Sequence, residues 1–239
     1  MKHIVKAGPP QEYIKWRADM NGTVNEDYRR FQNPEKEILH SQLLNEQGAI
    51  CAYTMRRIQL ATSHIEHIKP ETLCRAEEKG SDLDYHNLVA CYPRSGMKAE
   101  VRYGAQVKDD WWHDGGKEFI SPLNNQCELQ IIFNLKGEVY AKNGNSSAVK
   151  TIAVLKLDHS SLTEDRKKAV EAFIFGPNGN DPLSLRKTEQ AIVDICNRNA
   201  QGLIPEFCMA IRYALMDYLV VLNKNAQKKK FANAQKKKQ

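Results

Sequence analysis

The chain has 239 residues, 41% of them hydrophobic and 8% aromatic, which suits one large or two small packed domains and excludes a wholly disordered chain. No apolar run approaches the length of a membrane span and residues 1–6 lack a signal-peptide core, so the expectation is a cytoplasmic protein without membrane contact. The net charge of +6 is local: seven of the 35 basic residues lie in 224–239, leaving 28 against 29 acidic residues in 1–223, so nucleic-acid binding would need a local patch, the tail or a basic partner.

Residues 1–33 begin extended, pass through Gly8-Pro9-Pro10 and enter a short helix at 12–20 that Tyr13 and Trp16 can pack on the body. Asn33-Pro34-Glu35 has the layout of a helix cap with proline in the first turn, predicting a helix that runs to Gln47 before Gly48. Ile38, Leu39 and Leu43 give it a core stripe, and His40 reads as part of its surface. A strand is predicted over 58–68, a helix over 71–79 ended by Gly80, and a return strand over 87–92. A loop over 93–101 carries Arg94 and Lys98, with Arg102 just beyond, and a helix follows at 103–112. Trp111 and Trp112 read either as a base-stacking platform or as a hydrophobic lid.

Residues 128–141, with Lys136-Gly137 between apolar runs, predict a β-hairpin. Ser161-Leu-Thr-Glu164 fits a capping box for a helix to Phe173; a second starts at Asp181-Pro182 and runs to about residue 200. A third carries Phe207, Ile211, Ala214, Leu215, Tyr218 and Leu222 at helical spacing, either as core or as a partner-docking face. Asn225-Ala-Gln-Lys-Lys-Lys230 is echoed by Asn233-Ala-Gln-Lys-Lys-Lys238, and this lysine-rich tail reads as a mobile basic arm. The expected layout is a helical segment 1–50, a core 51–145, a helical region 146–223 and a disordered tail 224–239. The six cysteines, at 51, 74, 91, 127, 196 and 208, lack a framework spacing and read as free thiols.

The chemistry concentrates between Cys51 and Trp112, around Ser63-His-Ile-Glu-His-Ile-Lys-Pro70 and Asp84-Tyr-His-Asn-Leu-Val89. Glu66 directly before His67 on a β-branched stretch closed by Pro70, followed by Asn87-Leu88 and an apolar run, resembles the HNH (ββα-metal) endonuclease motif. The resemblance implies phosphodiester hydrolysis, which requires an activated water, neutralisation of charge on the phosphate and stabilisation of the leaving oxygen. A histidine titrates near neutrality and can take the water proton, which suits His67 as general base. Glu66 suits a hard divalent ion, which prefers oxygen donors. His64, three positions before His67, falls on the opposite strand face and is open between substrate contact, orientation of another group and packing.

Gln47-Gly-Ala-Ile-Cys51-Ala-Tyr53, Ile65-Glu-His-Ile-Lys-Pro70, Asp84-Tyr-His-Asn-Leu-Val-Ala-Cys91 and Phe119-Ile-Ser-Pro122 together resemble PtuB, the HNH (ββα-metal) nuclease subunit of Septu-type and retron-associated anti-phage systems. The resemblance covers most of the chain. It implies an α+β fold, with an HNH nuclease core joined to N-terminal helices, a β-hairpin and a helical C-terminal region. It further implies a metal-dependent endonuclease acting on DNA or RNA with one Mg2+ or Mn2+. The implied partners are an ABC-type ATPase subunit (PtuA-like) and, in retron versions, a reverse transcriptase with its RNA-linked DNA. Asn87 would be the residue whose amide ties the loop to the strand that carries the base.

The sequence departs from this pattern in its third element. No His or Asn precedes Lys108 in Tyr103-Gly-Ala-Gln-Val-Lys108, so the second metal ligand is open among Gln106, Asp109, Asp110 and His113. Arg56, Arg57, Arg94 and Lys108 are the candidate substrate contacts, with ordinary solvated charges as the competing reading for Arg56 and Arg57. Relatives with two cysteine pairs hold a structural zinc, whereas this chain keeps Cys51 with Thr54 and Cys91 with Tyr103, a poor tetrahedral set, so no structural zinc is expected. The alternative is a catalytically decayed HNH scaffold or nucleic-acid-binding subunit. The spacing His64-Ile-Glu-His67 is wrong for a zinc metalloprotease helix.

Overall fold

The fold is that of a computed structural model describing residues 1–97 and 101–236, the last six by backbone alone. It is α+β, with helices around two small antiparallel hairpins, an arrangement compatible with an HNH-like fold. Pro10 precedes helix α1, Gln11–Met20, where its missing N–H removes nothing the helix needs. Tyr13 of α1 is buried edge-on against Phe31, 5.1 Å between ring centres, and its hydroxyl donates to the Leu83 carbonyl. Helix α2, Glu35–Glu46, buries Leu39, Leu43 and Leu44 and has Gln47 as its C-cap, just ahead of Gly48. Gly48 has φ of 59°, and a Cβ there would lie 2.5 Å from Ile204, so both backbone sign and space exclude a larger residue.

The strand predicted over 58–68 is shorter. Leu60–Thr62 forms a 3-10 turn, with Gln59 N–H donating to Thr62 Oγ1 at 3.0 Å, so strand β1 is only His64–His67. Pro70 then caps helix α3, Glu71–Glu77. Strand β2, Leu88–Cys91, returns antiparallel, pairing His64 with Cys91, Ile65 with Ala90, Glu66 with Val89 and His67 with Leu88. Both faces of β2 are buried. The helix expected over 103–112 contracts to one turn, α4, Ala105–Lys108, between Gly104 (φ 76°) and Asp109 (φ 44°); the left-handed Asp109 stops the helix.

Helix α5, Cys127–Gln130, occupies the start of the predicted hairpin, whose strands are β3, Ile131–Phe133, and β4, Val139–Ala141. At the turn Gly137 approaches the Thr163 carbonyl so closely that a Cβ would lie 2.6 Å from it. Helix α6, Ser146–Val154, was not foreseen; Asn145 caps it through Ala148 N–H at 2.9 Å. Helix α7, Ser160–Phe175, is capped by His159 rather than by the Ser161 box, because Ser161 N–H already donates to His159 Nδ1. Its residues Leu162, Arg166, Val170 and Ile174 form a buried stripe at four-residue spacing. Helix α8, Leu185–Asp194, starts later than Pro182 because Asp181 and Leu183 first donate back to the carbonyls of Phe175 and Ile174.

Helix α9, Cys208–Lys236, lies against α7, α8 and β3. It extends through 224–236, correcting the expectation of an unstructured arm there; residues 237–239 lie outside the described residues. Ala, Gln and Lys are good helix formers, and a helix already nucleated by packing propagates through them without a new nucleus. Hydrophobic burial runs as one cluster from Met1 to Leu215, so the N-terminal helices, the β1–β2 hairpin and the C-terminal helices share a core. No helix among the described residues is long and apolar enough to cross a membrane.

Candidate active site

Residues two apart on a strand share a face, so His64 and Glu66 point together, half-buried, while Ile65 is buried on the other side. His67, the last residue of β1, is buried like Ile65, so the alternation runs to the end of the strand. His64, Glu66 and His67 all line one cleft of about 920 Å³, together with Tyr28, Lys36, His40, Arg94 and Asp109.

His67 Nε2 lies 2.8 Å from the Asp82 carbonyl oxygen. A carbonyl only accepts, so Nε2 carries the proton and Nδ1 of the neutral ring holds the lone pair. The Tyr28 ring meets the imidazole edge-on at 4.5 Å. Burial holds the His67 pKa below its ordinary value, against the opposing pull of the Asp82 carbonyl and the Glu66 carboxylate. The ring is therefore neutral at neutral pH, the form in which it can accept a proton.

Glu66 is held from below. Lys108, only 1% exposed, donates to Glu66 Oε1 at 3.2 Å and to the His67 carbonyl at 3.1 Å. Tyr53 hydroxyl lies 3.5 Å from the same oxygen, while Oε2 faces His64 Nε2 at 3.4 Å. His64 Nδ1 donates to the Pro93 carbonyl, which orients the ring. Burial alone would lower the His64 pKa, but the Glu66 carboxylate and the Pro93 carbonyl outweigh it and hold the value up. The pair fits a divalent ion: a carboxylate oxygen and an imidazole nitrogen share the cleft, and the second ring nitrogen is fixed by a backbone carbonyl, as in metal-bound histidines. Mg2+ keeps several waters and needs only one or two protein ligands.

Asn87 bridges the chain leaving β1. Its Oδ1 accepts from Lys69 N–H at 2.7 Å and its Nδ2 donates to the Lys69 carbonyl at 2.8 Å. Arg94 is exposed at the cleft wall, as are Asp109 and Asp110. Gln106 lines the cleft, but its amide oxygen accepts from Val101 N–H at 3.2 Å.

Other expected residues are not brought to this place. Arg56 is engaged by Asp165 at 2.6 Å and Tyr103 hydroxyl at 2.5 Å. Arg57 donates to the carbonyls of Gly48, Ala49 and Ile204. Both are thus committed to the protein's own groups and absent from the cleft wall. Lys108 is buried beneath Glu66 and does not line the cleft. His113 packs against Trp111 with its ring tilted, and Trp111 and Trp112 both pack on Phe119, the hydrophobic alternative for these rings. Lys98 lies outside the described residues. Burial would raise the Cys51 thiol, but hydrogen bonds with Cys91 and Thr54 bring it to about 6, while Tyr103 turns its hydroxyl to Arg56; this set does not fit structural zinc.

Several cleft residues escaped sequence reasoning. Lys36 sits 4.3 Å over the Tyr28 ring, its pKa lowered by burial. His40, expected on the helix surface, faces the cleft instead, 2.9 Å from Ser63 Oγ. Because Ser63 donates to the Gln59 carbonyl, His40 Nε2 donates to Ser63, and burial lowers its pKa to about 4. The four-residue spacing of Lys36 and His40 on α2 is the signal that one helix face turns towards the site.

No family model matches the chain. It is similar to a protein of Vibrio cholerae serotype O1 biovar El Tor named "Retron Vc95 putative HNH endonuclease", 23% identical over 170 residues that cover 69% of this chain and 78% of that protein.

Proposed function

We propose that the chain is a metal-dependent HNH endonuclease that hydrolyses phosphodiester bonds of DNA or RNA. The observation that carries this reading is the neutral, tautomer-fixed His67 beside the Glu66–His64 donor pair, on an antiparallel hairpin lining an open cleft. The name of the Vibrio relative supports both the HNH and the retron parts of the reading.

In this reading His67 Nδ1 takes the proton of the attacking water. Asp82, through its carbonyl, keeps the imidazole in the tautomer that can do so. Glu66 and His64 would hold one Mg2+ or Mn2+, which when bound supplies charge neutralisation at the phosphate and the leaving oxygen. Lys108 keeps Glu66 aimed into the cleft, and Asn87 fixes the turn by which the chain leaves β1. Lys36 and Arg94, both on the cleft wall, are the cations placed to meet phosphate oxygens. The chain works as the effector of an anti-phage complex, with an ABC-type ATPase, a reverse transcriptase and its RNA-linked DNA as partners.

The second reading is a decayed HNH scaffold or nucleic-acid-binding subunit. It is favoured by one observation: α4 offers no His or Asn ligand, and the Gln106 oxygen is already bonded to backbone. Incubation of the purified complex with labelled DNA and RNA, with Mg2+, with Mn2+ and with chelator, separates the two. Cut products that require the ion support the nuclease; binding without cutting under every condition supports the scaffold.

A further inference from the structure

Next to His67, whose Nε2 meets the Asp82 carbonyl, Asp27, Glu71 and Asp82 bring one carboxylate oxygen each to within 4.8 Å of one another. An acidic cluster alone is commonplace, but Asp82 is fully buried, and among the described residues its Oδ1 has no hydrogen-bond partner. Its Oδ2 accepts from Tyr28 N–H at 3.1 Å. The neighbouring cations do not complete it. Arg29 clasps Asp27 through Nε and Nη2, with Nη2 at 2.5 Å from Oδ2. Arg75 pairs with Glu71 and stays 3.9 Å from Asp82 Oδ2. Two guanidiniums thus face three carboxylates, and a buried carboxylate oxygen left without a partner is unfavourable by several kcal/mol unless something meets it.

We propose that this triad is a second divalent-cation site, for an oxygen-preferring ion such as Ca2+. Three carboxylates with no nitrogen or sulfur donor suit a hard, oxygen-preferring ion, and Ca2+, which takes about six to eight oxygens in flexible geometry, tolerates such an uneven set better than Mg2+, which demands near-ideal octahedral geometry. Glu71 lies on the cleft wall, which gives the ion a route in. Arg75 is the built-in competitor, since it holds Glu71 and approaches Asp82. The site is coupled to the base: Asp82 offers its carboxylate to the ion and its backbone carbonyl to His67 Nε2, so occupancy restrains the residue that fixes the tautomer of His67. The site itself stands independently of the nuclease reading; only this coupling rests on it.

The test is titration of the full chain with Ca2+ by calorimetry and with Tb3+ by tyrosine-sensitised luminescence, Tyr28 being adjacent to Asp82. The variants are Glu66→Gln, the double variant Asp27→Asn with Glu71→Gln, and Arg75→Gln. One ion is bound with the same affinity in wild type and in Glu66→Gln, which disables the Glu66–His64 pair but not the triad, the double variant binds that ion at least about tenfold more weakly, and Arg75→Gln, which removes the competitor and leaves every ligand, binds it more tightly. Histidine-ring NMR adds a second readout, with Ca2+ moving the His67 Nε2 resonance in wild type and not in the double variant. Equal affinity in wild type and the double variant overturns the site, as does absence of binding in both wild type and Arg75→Gln. A chain that binds Ca2+ here yet never cleaves nucleic acid contradicts the nuclease reading and leaves this site standing.

Discussion

The Nε2 of His67 and the carbonyl oxygen of Asp82, 2.8 Å apart, join the end of β1 to the turn that precedes β2. The bond fixes which ring nitrogen carries the proton, and it does so with a group that no substitution at position 82 removes. The side chain of Asp82 positions that carbonyl by accepting from Tyr28 N–H.

Lys108 is expected to matter through Glu66. Lys108→Met keeps the stem and deletes the ammonium, leaving a mostly buried carboxylate without its partner. The loss should be roughly 2–4 kcal/mol, read as a fall in Tm of about 5–15 °C. A Tm within 1 °C of wild type (about the scatter of a melt for a shift of a few tenths of a kcal/mol) would mean that the ammonium contributes nothing to holding Glu66.

Asn87→Ala removes two hydrogen bonds to the backbone of Lys69. Each is worth about 0.5–1.5 kcal/mol, so destabilisation of roughly 1–3 kcal/mol is expected in urea unfolding. Asn87→Asp should be at least as severe under neutral conditions, because a carboxylate oxygen would then oppose the Lys69 carbonyl.

His40 sets a pH dependence of stability. Its folded pKa is about 4, below the ordinary value of 6.5, through burial. The folded protein therefore favours the neutral ring, so the contribution is complete above pH 6.5 and is lost as pH falls from about 6.5 towards 4. A shift of that size corresponds to at most about 3.4 kcal/mol, and partial exposure of the ring reduces it to roughly 1–2 kcal/mol. The difference in unfolding free energy between wild type and His40→Asn should shrink across that window; a constant difference from pH 7 to 4 would contradict it.

Glu66, His67 and Asn87 were legible as a unit because a strand, its terminating proline and the Asn-Leu return carry the motif in local sequence. The facing of His64 and Glu66 follows from their two-residue spacing, whereas comparison with His67 alone, three positions on, left the role of His64 open between substrate contact, orientation of another group and packing. Asp82 and Tyr28 were not legible, since each reaches the site through tertiary packing of a segment with no chemical signature of its own, and Lys36 had only its four-residue spacing from His40 to mark it. Arg56 and Arg57 misled for the converse reason: sequence shows a charge but not the Asp165 or the carbonyls that absorb it. In the tail, composition argued for disorder because it has little to bury, whereas continuity with the packed part of α9 supplies the helix.

Removal of 224–239 takes the net charge from +6 to −1 without touching the cleft. Nucleic-acid affinity should fall, and the slope of log affinity against log salt should decrease by roughly two to four units, since only some of the lysines meet phosphates at once. An unchanged slope would assign the basic helix to another surface, such as an acidic partner.

The central claim is that His67 is the general base, and the most direct measurement is the single-turnover rate of cleavage of labelled DNA and RNA by the assembled complex carrying His67→Ala, with Mg2+ or Mn2+ present. The account predicts a rate lower by about 10²–10⁴, with circular dichroism and complex assembly like wild type. Cleavage by His67→Ala at the wild-type rate would contradict it.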